Sequence, residues 1–169
     1  MAGTWKQLVW FESLLLLGAA AGCTELDSYN GTYQGTVVGA EGDSFIRRGF
    51  PAGAVLELRD FRPPPTSGAV GRIVVRHLEP PTRLEADLQV IAPLEHDQLG
   101  QYDFPGGGRI RSFVFSVAVD ATTSDPRFVG REPMAFVSLM DDDDVEVRIV
   151  SGPGDEPGDL FGLFILGKQ

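Results

Sequence analysis

Cysteine is almost absent: the chain has one, Cys23. No internal disulfide can form, so a fold of this chain must be held by its core. Histidine is nearly as scarce, with His77 and His96 alone. A zinc site needs three or four suitable ligands, and the surroundings of these two residues do not supply them. Bases are outnumbered, 14 against 24 acids, for a formal net charge of -10. A surface of that sign repels phosphate backbones, so nucleic-acid binding is not expected. No uninterrupted apolar run reaches the roughly 20 residues that a membrane-spanning helix needs. Catalytic signatures are missing as well. There is no G-x-S-x-G, and Ser44, Ser67 and Ser112 stand in no distinguishing context. Acids are plentiful, but none is marked out as a pair for glycoside chemistry. The expectation is a non-enzymatic protein without a cofactor.

What is present is ordinary for a folded domain. Hydrophobic residues make up 43% and charged residues 22%, which argues against disorder. The order of the first 23 residues is less ordinary. A short n-region with Lys6 leads into Leu14–Leu17, then the small residues Gly18, Ala19, Ala20, Ala21 and Gly22, then Cys23. This is the layout of a secretory signal peptide. Counting the apolar stretch back to Leu8 places Glu12 inside it, at a cost of roughly 2.5–3.5 kcal/mol in mid-membrane, so a spanning helix is disfavoured. Removing the leader takes away one base (Lys6), one acid (Glu12) and both tryptophans (Trp5 and Trp10), so the charge balance is unchanged.

Ala20-Ala21-Gly22-Cys23 resembles the lipobox of bacterial lipoproteins. The resemblance covers residues 1–23 and does not extend to the domain behind them. It implies a signal peptide over 1–22, lipid attachment at Cys23, and a membrane partner reached through that lipid. The small residues let the backbone enter the peptidase, and the thiol is the soft nucleophile that thioether formation requires. Several acyl chains at about 0.8 kcal/mol per buried methylene make such an attachment stable. Ala20 stands where Leu is commoner, and Glu12 is atypical of the leader. Thr24 follows the cysteine where an Asp would signal retention at the inner membrane. The resemblance therefore implies an envelope protein at the outer membrane, with residues 23–30 as a lipidated tether.

After residue 30 the chain reads as strand after strand. Ala54–Phe61 alternates, with Ala54, Leu56 and Leu58 against Glu57 and Arg59. In Ala69–Leu78, Ile73 and Val75 share one face, and Arg72 and Arg76 share the other. Arg109–Val119 sets Phe113, Phe115, Val117 and Val119 against Ser112 and Ser116. Gly31–Gly39, Ala135–Met140 and Val145–Val150 follow the same rule. Leu160–Leu166 is nearly all apolar and reads as a strand buried on both faces. Thr82–Ala92 is ambiguous. It alternates strictly, yet Thr82 and Glu85 could form a capping box with Leu84, Leu88 and Ile91 at helical spacing. A hairpin with Arg109–Val119 favours the strand. Proline and glycine clusters at 63–65, 80–81, 106–108 and 152–154 punctuate the series. The expected fold is one all-β domain over 31–169, an antiparallel sandwich or a lipocalin-like barrel of eight to nine strands. Gly31-Thr32-Tyr33 faintly resembles the first strand of such barrels.

The remaining candidates each have a plain structural reading. Asp141, Asp142, Asp143 and Asp144 carry the hard oxygens that suit Ca²⁺. Consecutive side chains cannot all face one ion, so a solvated hairpin loop is the simpler expectation. Gly106–Gly108 before Arg109 and Arg111 invites a phosphate, but a strand and not a helix follows. Arg47-Arg48 reads as surface pairing, and Asn30-Gly31-Thr32 as a turn before the first strand. The functional expectation is an envelope lipoprotein with a binding or structural role. A carrier of a small apolar ligand is the alternative, and an anchored hydrolase comes third. The sequence specifies neither a ligand nor a protein partner.

Overall fold

The computed structural model describes residues 26–40, 49–64, 70–91, 101–103, 109–140, 143–152 and 161–169. They form a closed antiparallel barrel. Its strands are β1 (Gly31–Gly39), β2 (Val55–Phe61), β3 (Gly71–His77), β4 (Thr82–Val90), β5 (Gln101–Asp103), β6 (Arg109–Val119), β7 (Met134–Leu139), β8 (Val145–Val150) and β9 (Phe161–Lys168). Each strand pairs with the next in sequence except β4, which skips β5. β4 pairs with β6, Ala86 opposite Val119 and Val90 opposite Phe115, while β5 pairs with the start of β6 on the same edge. β5 thus extends the line of β4. The last strand returns to the first, with Gly35 opposite Leu166, and this seam closes a ring of eight. A closed ring leaves its main strands without free edges.

Alternation decides which residues fill the ring. The buried core takes Leu56 and Leu58 from β2, Ile73 and Val75 from β3, and Leu84, Ala86 and Leu88 from β4. Phe113, Phe115 and Val117 come from β6, Val137 and Leu139 from β7, Val147 and Ile149 from β8, and Phe164 and Leu166 from β9. Aromatic rings pack across the interior. Tyr33 meets Phe61 at 6.4 Å, Phe61 meets Phe115 at 6.5 Å, and both contacts are edge-to-face. An eight-stranded barrel has room for its own side chains or for one small ligand. Here side chains from every strand of the ring occupy it.

The two ends are finished differently. At the end we call proximal, a short turn at Leu26–Asn30 packs Leu26 and Tyr29 against the core. The last residue is there too: Gln169 N donates to Thr32 O at 2.9 Å. At the distal end Phe50 and Phe128 form a plug. Phe50 lies 5.7 Å from Phe128 and 5.6 Å from Phe164, and it is fully buried. Gly162 beneath it makes room, because a Cβ there would lie 2.5 Å from the Phe50 ring. Gly35 does the same for the seam. A Cβ there would lie 1.8 Å from the Ile165 carbonyl oxygen, so β1 and β9 approach this closely only through glycine.

The ambiguous segment is a strand. Thr82 does not cap a helix: its hydroxyl donates to Pro80 O at 3.2 Å and accepts from Arg127 at 2.7 Å. The apolar run at the C-terminus differs from its expected burial. Gly162, Phe164 and Leu166 face the core, whereas Phe161, Leu163 and Ile165 lie on the outer wall and are only partly buried. The run is continuous because both faces of β9 are apolar, not because both are enclosed.

Candidate functional site

The outside of the barrel is two-sided, and the strand series dictates how. On β2, β3 and β4 the outward phase is mostly charged, with Val74 buried opposite Glu57 and Glu85. Arg72 lies opposite Asp87 and donates to it at 3.0 Å, to Glu85 at 3.0 Å and to Asp120 at 2.9 Å. Arg83 also donates to Glu85. Arg59 holds Glu57 at 2.6 Å, and Arg76 approaches the same carboxylate at 4.0 Å. These bonds set the protonation states. The Arg72 hydrogen bond, followed by that of Arg83, holds Glu85 below the usual carboxylate range despite its burial. Asp120 is held far lower, first by the Thr122 hydroxyl, next by the Thr122 backbone N–H, and then by Arg72. The same contacts push the Arg72 guanidinium up, Glu85 first and Asp120 second. Carboxylates so firmly ionised are poorly matched to proton exchange near neutral pH.

On β7, β8 and β9 the outward phase is largely apolar. Cross-strand register builds two rows. Phe136 lies opposite Arg148, which lies opposite Leu163; Met134 lies opposite Val150, which lies opposite Phe161. Between β6 and β9 the wall dips into a groove of about 390 Å³, floored by Phe136, Met140, Val150 and Phe161. That volume is within the range of small-ligand clefts, about 300–1,000 Å³. Its polar groups are matched to each other. Ser112 Oγ lies 2.8 Å from Ser138 Oγ, and Arg148 Nε holds Glu146 at 2.7 Å.

The groove opens beside the first described residues. Tyr29 donates its hydroxyl to the carbonyl of Met140, a groove residue, and Tyr33 donates to Tyr29 O at 2.9 Å. Lys168 reaches Ser28 O from the last strand. Burial, with the nearby Asp143 charge second, pushes the Tyr33 hydroxyl up to about 12.

Of the residues singled out from the sequence, Cys23 lies outside the described residues, as do Asp141, Asp142, Ser44, Ser67, His96, Arg47-Arg48 and Gly106–Gly108. Asp143 and Asp144 sit in the β7–β8 hairpin loop. Met140 N closes that loop onto Asp144 O at 3.0 Å, and Asp143 takes the left-handed conformation at φ 62°. Among the described residues no group of three or more His, Cys, Asp or Glu side chains converges. His77 ends β3 with Nδ1 3.0 Å from Pro80 O. Ser112 lines the groove. Sequence reasoning missed the groove itself; its signal was apolar residues in the outward phase of β7 and β9, with Val150 between them on β8. Among the described residues no helix is long and apolar enough to cross a membrane. No protein-family model matches the chain, and neither a curated protein nor a solved structure matches it.

Proposed function

We propose that the chain is an envelope lipoprotein, held at the outer membrane through lipid on Cys23, whose barrel has a binding or structural role and no catalytic one. The observation that carries this reading is the single cysteine closing an apolar leader, three residues before a turn docked on the barrel. Three residues span at most about 11 Å, so a lipid on Cys23 would hold the body at the bilayer surface. The buried Tyr33, Phe61 and Phe115 in the interior support this role over that of an internal carrier. The ion-paired carboxylates of β4 and its neighbours give no support to hydrolysis.

Cys23→Ser tests the anchor. The substitution is expected to abolish incorporation of labelled palmitate and to move the protein from the membrane fraction to the soluble one. Mass spectrometry of the native protein should find an acylated residue 23 as the N-terminus. An intact Met1 terminus, or unchanged fractionation of the serine variant, would refute the reading.

A further inference from the structure

We infer that the outer wall formed by β7, β8 and β9 lies on the surface of the bilayer that holds the anchor, with its groove receiving lipid chains. The inference rests on the lipid anchor proposed above. Two observations carry it beyond that proposal. The first is the contrast between opposite walls. In the ring, β3 lies four places from β8, and β2 four places from β7. The β2–β3 side carries Glu57, Arg59, Arg72 and Arg76, engaged in ion pairs and suited to water. The other side carries Phe136, Met140, Val150, Phe161, Leu163 and Ile165, each partly buried, around Ser138 and the Glu146–Arg148 ion pair.

The second observation is where the chain arrives. Leu26–Asn30 is fixed at the proximal end, and Tyr29 is bonded to Met140 at the rim of the apolar wall. A lipid on Cys23 can lie no more than about 11 Å of chain from Leu26. The anchored body therefore cannot stand off from the bilayer, and the apolar wall beside the tether is the one suited to meet it. Apolar faces of interfacial segments settle about 5–10 Å into the headgroup and acyl boundary. Arg148 has an aliphatic stem that can lie along this wall while its head stays with Glu146 and the polar layer. The net charge of -10 opposes anionic lipid, so the surface sought is zwitterionic.

The sequence supplies the means of testing. Both tryptophans precede Cys23, so a tryptophan placed in the barrel is the only one in the processed protein. The acylated protein carrying F136W, and separately R76W on the opposite wall, is reconstituted into phosphatidylcholine vesicles with brominated chains. Flotation reports the anchor, and quenching reports the orientation. F136W emission is expected to shift to the blue and to be quenched several-fold more than that of R76W. L163W repeats the measurement on the same wall and substitutes for F136W should that variant fail to fold. Equal quenching in protein that floats would overturn the orientation and leave the anchor standing. Failure of the acyl-bearing preparation to float would sink the anchor, and the orientation with it. A stable dimer of Cys23→Ser in solution, made monomeric by Phe136→Glu, would assign the wall to a second copy and also overturn the inference.

Discussion

The seam between β1 and β9 gives the sharpest test of the barrel, because two glycines on it face opposite demands. A Cβ at Gly35 would lie 1.8 Å from Ile165 O and 2.8 Å from its carbonyl carbon. Both atoms are backbone, so no side-chain rotation relieves the clash, and the strands must part before contact becomes tolerable. At Gly167, on the facing strand beside Gln34, a Cβ would meet nothing nearer than Asp144 Oδ1 at 3.7 Å. Gly35→Ala should loosen two or three ladder hydrogen bonds, each with a net value of about 1 kcal/mol, and strain the neighbouring pairs. We expect a loss of about 3–5 kcal/mol, among the large effects for one substitution. For a domain of this size that corresponds to a fall in Tm of roughly 6–20 °C. Gly167→Ala should fall within about 0.5 kcal/mol of the parent, helped by reduced freedom of the unfolded chain. Urea denaturation of both variants in the Cys23→Ser background, followed by far-ultraviolet circular dichroism, compares them directly. Equal midpoints would refute the close approach of the strands, and with it the way the first and last strands close the ring.

The plug at the distal end should be the next most sensitive place. Phe50→Ala removes a fully buried ring in contact with Phe128 and Phe164, and it is expected to cost about 3–5 kcal/mol in a denaturant titration. The charged wall predicts a pH dependence. Glu85 and Asp120 have folded-state pKa values below their unfolded ones, so their contribution is complete above the unfolded carboxylate values near 4 and is lost as pH falls through the lowered values. Arg72→Met should therefore shift the urea midpoint clearly at pH 7 and by less at pH 3, with the gap closing further as pH falls through the lowered values. A gap that did not narrow would show that Arg72 acts through packing and not through its charge.

How much of this was legible in the sequence depended on whether one strand or several decided the matter. Residues 54–61, 69–78 and 109–119 show their own alternation, and β2, β3 and β6 fall within them with the expected face inward. The segment at 82–90 could not be settled from within, because Leu84 and Leu88 suit a helix and a strand alike. Its partner settles it: five residues of β4 pair with β6 in register. Barrel against sandwich was open for the same reason. Closure depends on two pairings between strands distant in sequence, β4 with β6 and β1 with β9, and periodicity carries no information about either. The outer groove was legible in its parts only. Phe136, Val150 and Phe161 each look like strand residues, and they become one surface only once register lays them side by side. The lipid anchor at Cys23 is a reading of the leader, and the fold adds to it only the place where the chain joins the barrel.

That place constrains what kind of partner the barrel can have. A sheet with an open edge can take up a further strand through its backbone groups, and specificity then follows from hydrogen-bond register. Ring closure removes that route from the eight strands flanked on both sides, so recognition by the ring passes through side chains on a wall or an end. The wall of β2–β4 is ill suited, because its arginines and carboxylates already satisfy one another, and a partner would have to break bonds to form its own. The distal end is sealed by Phe50 and Phe128. The apolar wall of β7–β9 incurs no such loss on being covered, since removing carbon from water is favourable at about 25 cal/mol per Å² whatever covers it. If Cys23 carries lipid as proposed, the chain from Cys23 to Leu26 spans at most about 11 Å, and the nearest apolar medium for that wall is the bilayer.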